Sequence, residues 1–526
     1  MKTKLIWLCI ALLAMNFNIN AQTTSIPDAN FEQALIDLGY DTGTPDGTVP
    51  TANISSVTSL SVNQKNITNL TGIEDFTSLQ SLNCSRNQIS NIDISQNINL
   101  NSLYCNNNNL TSLDISNNTA LSILDCFENQ ISSLDLSNNT SLNFLNCYRN
   151  NLTSLDTSQN TNLRTLACFE NQITTLDTRA NTLLRGLECY KNNIQSLEVG
   201  KNIEFLYCED NQITSIDVSQ NSKLQILRCY NNQISNLNLE GTTILRTLSA
   251  YNNSLTALDV SQSTNLERFY IQNNNLTSLN VTQNTLLIDL NYSNNNVSTI
   301  DVSNTPMLED LIMTNNNLSS LDVSQNLSLI DLFIGANNIS TIDVSNNLNL
   351  ERFICYNNLL SSIDITQNTS LIGLNCANNN LTELNIRNGN NSNMVYIPFF
   401  NSVPFNATGN PNLTCIQVDD DVVNNISPDW EKDDTAIYAT NCATASVTDY
   451  QISSQITISP NPSKNIVLIE SPFSIQETKV YSLNGKELNI KVSQNRSLDV
   501  SALTSGIYLL KIKTDKGIGM KKIIKE

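Results

Sequence analysis

Ten cysteines recur in a single frame: Cys84, Cys105, Cys126, Cys147, Cys168, Cys189, Cys208, Cys229, Cys355 and Cys376. A thiol that keeps returning could be half of a disulfide, a metal ligand or a small apolar side chain. The same slot also holds Ala250, Ile271, Tyr292, Met313 and Ile334, mostly apolar replacements that a packing position tolerates and a ligand position does not. In-register neighbours would stand about 4.8 Å apart, beyond the ~3.5–4.5 Å Cβ separation that a disulfide needs. Reduced, buried packing thiols are the expectation. Histidine is absent from the chain, which removes imidazole as general base and as metal ligand. Serine–histidine and cysteine–histidine catalysis are excluded, leaving an enzyme only carboxylates, a calcium-assisted reaction or a lysine base.

Two further columns carry polar or aromatic groups. Asp93, Asp114, Asp135, Asp156, Asp177, Asp217, Asp259, Asp301, Asp322, Asp343 and Asp364 repeat one after another. Like charges at strand spacing repel, so hydrogen bonds from the neighbouring Ser or counter-ions, calcium among them, must offset them. Just after the cysteine slot stand Phe127, Tyr148, Phe169, Tyr190, Tyr230 and Tyr251, with Tyr207 and Tyr270 two places earlier, and beside them Glu128, Arg149, Glu170 and Lys191 alternate in sign. These rings either stabilise a sheet by stacking or form a binding strip for a protein or glycan. No resident cofactor or metal is expected.

The elements that position these columns come from a 21-residue repeat, L-x-x-L-x-C-x-x-N-x-[LI]-x-x-[LI]-D-[VIL]-S-x-N, running from Leu79 to about Asn391 with a two-residue deletion around Val199 to Asn202. A related copy starts at Val57. Each half of the frame predicts a short strand followed by a turn at Asn, whose amide can bond turn backbone that strand pairing leaves free. One coil cannot bury its apolar face; stacked coils can, as a rod on the order of 70 Å long for fifteen coils. The frame resembles the leucine-rich repeat, L-x-x-L-x-L-x-x-N-x-L, with cysteine in the third leucine slot, and the resemblance covers about two thirds of the chain. The copy at 57–78, with TNLTGIEDFTS, resembles repeats of the internalin kind. The implied fold is a β-rich solenoid with two short parallel strands per coil.

Six segments are expected: a signal peptide at 1–21, an N-terminal cap at 22–56, the solenoid at 57–391, a C-terminal cap at 392–442, a linker at 443–455 and a final domain at 456–526. The leader has Lys2 and Lys4 before an apolar run from Leu5 to Met15. In the N-terminal cap, PDANFEQALIDLGYD predicts a helix with Phe31, Leu35 and Leu38 on one face. Cys415 and Cys442 lie outside the column and are a candidate disulfide in the C-terminal cap. Net charge is -20, so nucleic acid is not expected as a partner. From Gln451 onward the balance reverses, with 11 Lys and Arg against 6 Asp and Glu, as a separate domain would show.

That last segment has alternating short strands with Asn-Gly and Ser-Gly turns, the pattern of a small β-sandwich of immunoglobulin-like build. It resembles the C-terminal sorting domain of the type IX (Por) secretion system through Pro460, Asn461 and Pro462, Gly485 and Lys486, Leu503, Gly506 and Tyr508, and Lys521, Lys522 and Lys525. The resemblance implies recognition by the translocon and a protein released from, or attached to, the outer surface of a Gram-negative bacterium. No stretch after the leader is long and apolar enough to span a bilayer, so no transmembrane segment is expected in the mature chain. The expected function is non-catalytic adhesion to an extracellular protein or glycan. The rival is a calcium-assisted, lyase-like β-solenoid acting on acidic polysaccharides, which the near-uniform coils disfavour because they offer no loop-built cleft.

Overall fold

The computed structural model describes residues 22–395, 404–442, 452–494 and 496–526. The expected leader and most of the expected linker lie outside them. The chain forms two compact units, one up to Leu321 and one from Asp322 onward.

In the first unit the L-x-x-L-x-C half of each coil forms a three-residue strand, thirteen of them from Ser59–Ser61 to Asp310–Ile312. Neighbours pair parallel and in register, Leu124 with Leu145 and Leu145 with Leu166. Register holds because a one-residue slip would turn the Leu and Cys side chains to solvent; Leu142, Leu145, Cys147 and Leu152 are fully buried. Each strand ends in a turn whose first residue has left-handed backbone, from Arg86 (φ 56°) through Glu128 (φ 51°) to Asn315 (φ 60°). The next residue is the repeat asparagine. Asn150 Nδ2 donates to the carbonyls of Cys126 and Cys147, both at 3.1 Å, and its Oδ1 accepts from Ile131 N at 2.9 Å. One side chain thereby satisfies three backbone groups that strand pairing leaves over.

The second half of each coil departs from expectation. Among the described residues of this unit it pairs as strand only at Thr175–Asp177 with Ser196–Glu198, and at Ser215–Asp217 with Asn236–Asn238. In laddered and unladdered coils alike the turn N–H groups are taken by the Asp side chains, as Ser116 N is by Asp114 at 3.0 Å and Ser219 N by Asp217 at 2.9 Å.

A second asparagine column closes these coils from inside. Asn118, Asn139 and Asn160 are fully buried, and Asn139 Nδ2 donates to the carbonyls of Ile115 and Asn118 at 3.0 Å. Their Oδ1 atoms receive no hydrogen bond. At Asn181 the hydroxyl of Thr157 supplies one, at 2.8 Å, because Thr replaces the usual Val, Ile or Leu at the facing position. Thr157→Val, nearly isosteric, is therefore expected to cost about 1–3 kcal/mol by stranding that oxygen. Urea denaturation measures this, and an unchanged midpoint would count against it.

At the N-terminal end the helix Ala29–Asp37 is capped by Asp28, whose Oδ1 accepts from Asn30 N and Phe31 N. Its Oδ2 accepts from Thr68 N and Asn69 N, tying the helix to the first coil. Phe31 and Leu35 are fully buried, but Leu38 is 46% exposed. The helix ends at Asp37 and the left-handed Gly39 reverses the chain, so Leu38 leaves the helical face.

In the second unit, paired strands at Asp331–Phe333, Arg352–Ile354 and Gly373–Asn375 continue the pattern. The segment expected to be a C-terminal cap adds two more coils, with strands Phe405–Ala407 and Trp430–Lys432. Asn410 is their ladder asparagine, donating to the carbonyls of Cys376 and Ala407 and accepting from Leu381 N. Trp430 Nε1 donates to the Met394 carbonyl at 3.0 Å. Cys415 and Cys442 are disulfide-bonded. From Thr457 onward two antiparallel four-stranded sheets form a sandwich around Val467, Ile469, Val480, Leu498, Leu510 and Ile512.

Candidate functional site

The outward side of the first strands is the surface whose residues differ from coil to coil. Phe127, Tyr148, Phe169 and Tyr190 form one continuous stack, with centroids 4.2–4.3 Å apart and planes within 10°. Tyr230 and Tyr251 form a second, at 4.4 Å and 6°. Parallel in-register strands enforce this: identical slots repeat at the strand spacing, close to the contact distance of two rings. The ring faces are spent on one another, so edges and Tyr hydroxyls are what these residues offer. Tyr207 and Tyr270 join neither stack. Arg228 lies 5.0 Å from the Tyr207 ring centre, while Tyr270 donates its hydroxyl to Asp289 Oδ2 at 2.9 Å, with Arg268 Nε on the same oxygen at 3.1 Å.

Between the two stacks the slot is occupied by Glu209, 6% exposed. Its Oε2 is buried without a partner, and desolvation raises its pKa despite the nearby Arg228 charge. Its one signal in the sequence is a carboxylate directly after the cysteine slot, in Cys208-Glu209. Burial likewise pushes Asp125 up to about 6 and raises Glu188. Tyr190 and Tyr230 are pushed up to about 12, first by desolvation and then by these carboxylates.

Alongside runs a polar rung built on the left-handed residues. Arg149 pairs with Glu128 at 2.5 Å and Glu170 at 2.8 Å, and Lys191 with Glu170 at 3.0 Å. Further along, Asn231, Asn252, Asn273 and Asn294 each donate to the preceding coil's Asp210, Asn231, Asn252 and Asn273, all at 2.6 Å. Asn suits a left-handed turn; Glu, Arg and Lys there incur a conformational cost of about 1–2 kcal/mol that the ion-pair ladder helps to offset.

The Asp column is accounted for locally. Asp93, Asp114, Asp135, Asp259, Asp301 and Asp343 each accept from the backbone N–H two residues on. Hydrogen bonds from the hydroxyl of the Ser bearing that N–H, the larger cause at Asp114 and Asp301, together with these backbone bonds hold their pKa values below the usual carboxylate range. Among the described residues no three His, Cys, Asp or Glu side chains group as a metal site, and no helix is long and apolar enough to cross a membrane.

The candidate sorting residues occupy structural corners of the sandwich. Asn461 Nδ2 donates to the Lys522 carbonyl and its Oδ1 accepts from Ile524 N, both at 2.7 Å, holding the PNP segment against the last strand. Gly485 takes the left-handed turn (φ 78°) before Lys486. Gly506 opens the strand Gly506–Thr514, in which Tyr508 is buried and donates to the Thr504 carbonyl at 2.8 Å. Leu503 packs on the core. Lys521, Lys522 and Lys525 lie along the final strand.

Stacked parallel strands with an asparagine bond in each coil place the protein in the leucine-rich-repeat class of solenoids. The functional domain of InlJ from Listeria monocytogenes, which includes a cysteine ladder, is 27% identical with a TM-score of 0.57, covering 96% of this chain and 99% of that one. The leucine-rich-repeat protein LIC12759 of Leptospira interrogans shares the fold at 22% identity and TM-score 0.52, covering 70% and 97% respectively. No curated protein sequence matches the chain. Residues 457–526 match the family model of the secretion system C-terminal sorting domain. The chain is a leucine-rich-repeat protein with a type IX sorting domain, and so a secreted or cell-surface protein.

Proposed function

We propose that the protein is a non-catalytic adhesin that binds an extracellular protein through the outward face of its first strands, between about Ser122 and Tyr270, after export across the outer membrane of a Gram-negative bacterium. The observation that supports this reading is the contrast between a backbone held rigid by the asparagine bonds and outward residues that change at every coil. Rigid scaffolds with variable half-buried aromatics and arginines are the composition of interface anchors. A protein partner is favoured over a sugar lying along the strip because the ring faces are already stacked.

The double variant Tyr148→Phe, Tyr190→Phe separates binding from packing. Phe already occupies two rungs of that stack, so melting is expected to stay within about 1 °C while affinity falls on the order of ten-fold from the lost hydroxyl contacts. Surface plasmon resonance against the partner captured from an extracellular protein array measures this. Unchanged affinity would reduce the ladder to sheet reinforcement.

A further inference from the structure

One shortened coil of the repeat leaves a mark among the second-half segments. From Leu184 to Ile203 the coil is two residues short. Gly200 sits where an added Cβ would meet the Thr178 carbonyl at 2.8 Å, and Thr178 N bonds the Glu198 carbonyl at 2.9 Å. The short coil is thus drawn against its predecessor. The pairing then breaks on the following side: Ser196–Glu198 ladders only backward and Ser215–Asp217 only forward, in separate two-stranded sheets. Between them opens a recess of about 320 Å³ lined by Arg179, Glu198, Val199, Lys201, Asp217 and Gln220, among others.

The lining differs from the same positions in other coils. Arg179 stands where Ser95, Ser116 and Ser137 stand elsewhere. It clamps Asp177 through two nitrogens, at 3.0 Å and 2.6 Å, and reaches Glu198 at 3.7 Å. Lys201 makes no ion pair among the described residues. Asp217, also on the lining, accepts from Ser219 N through Oδ1 at 2.9 Å.

We infer that this recess is a binding site for a neutral saccharide. Its volume falls within the range of small-ligand sites, roughly 300–1,000 Å³. Glu198 and Asp217 accept hydroxyl hydrogen bonds, charge-assisted and therefore strong. Lys201 donates, Gln220 does both, and half-buried Val199 meets a C–H face. With Arg179 already neutralised by Asp177, the lining sets Glu198 and Asp217 against Lys201, which disfavours an anionic sugar.

Isothermal titration of the full mature chain with maltose, cellobiose, laminaribiose and mannobiose, and with digalacturonate as the anionic control, tests the assignment. At least one neutral disaccharide is expected to bind at millimolar Kd or tighter. Asp217→Asn and Lys201→Ala should each weaken it about ten-fold without shifting the melting temperature. Tyr148→Phe, Tyr190→Phe should leave it unchanged, since the site stands apart from the first-strand face. No binding by any neutral disaccharide, a preference for digalacturonate, or full affinity in both recess variants would each overturn it.

Discussion

Raising the pH from 7 to 9.5 is expected to lower the stability of the solenoid by roughly 10 kcal/mol. The ten column cysteines are reduced and buried, and burial pushes the Cys84, Cys168 and Cys376 thiols up to about 12, with the others also raised. In the unfolded chain each thiol ionises near 8.5. The folded value lies above the unfolded one, so each thiol's contribution is complete below the unfolded value and is lost as the pH climbs toward 12. Each pH unit above 8.5 withdraws about 1.4 kcal/mol per thiol. Ten of them reach on the order of 10 kcal/mol by pH 9.5, comparable with the whole stability of an ordinary domain. Urea midpoints across this range measure the slope. Replacing Cys126, Cys147 and Cys168 by Ala should flatten it by about three protons, and a pH-independent midpoint would mean that the thiols are not buried neutral groups. At neutral pH the native protein should resist iodoacetamide, which needs the thiolate.

The second large effect lies in the asparagine bonds. Asn171 Nδ2 donates to the carbonyls of Cys147 at 3.1 Å and Cys168 at 3.0 Å, and its Oδ1 accepts from Leu152 N at 3.0 Å. Asn171→Ala strands all three backbone groups where water has little access, at about 1–3 kcal/mol each before relaxation. A net loss of about 3–6 kcal/mol is expected, read as a lower denaturation midpoint. Asn151 is the control: it is exposed and the hydrogen bond of its side chain, to the Gln130 carbonyl, is long at 3.4 Å. Asn151→Ala should stay within about 0.5 kcal/mol. Equal losses at the two positions would show that asparagine content, rather than these particular bonds, supports the coils.

Much of this was legible in the frame itself. Alternation of Leu, Leu and Cys announces a strand with one buried side, and the invariant asparagine announces a turn that needs a side chain to finish its hydrogen bonding. The Asp–Ser pairs, read as hydrogen-bonded or ion-bridged, turn out to be local turns. Asn410 was hidden because one extra residue, in NPNL, shifts the spacing after the asparagine, although Ile416 and Val418 keep the pattern. Leu38 departs from the expected face because the helical period stops at Asp37, one residue short of it. The aromatic column was visible, yet nothing in its spacing showed that the ring faces would be consumed by stacking or that Glu209 would divide them.

The amino-acid order alone determined the repeat unit and which side chains turn inward, because both follow from periods of two and 21 acting over neighbouring residues, and it carried the motifs of the export domain at the end. Tertiary structure alone decided where the second strands ladder, where they part to open the recess beside Lys201, and which charges lie buried between rings. Those outcomes depend on distances between coils, and an inter-coil distance is set by the packing of whole layers rather than by any one of them.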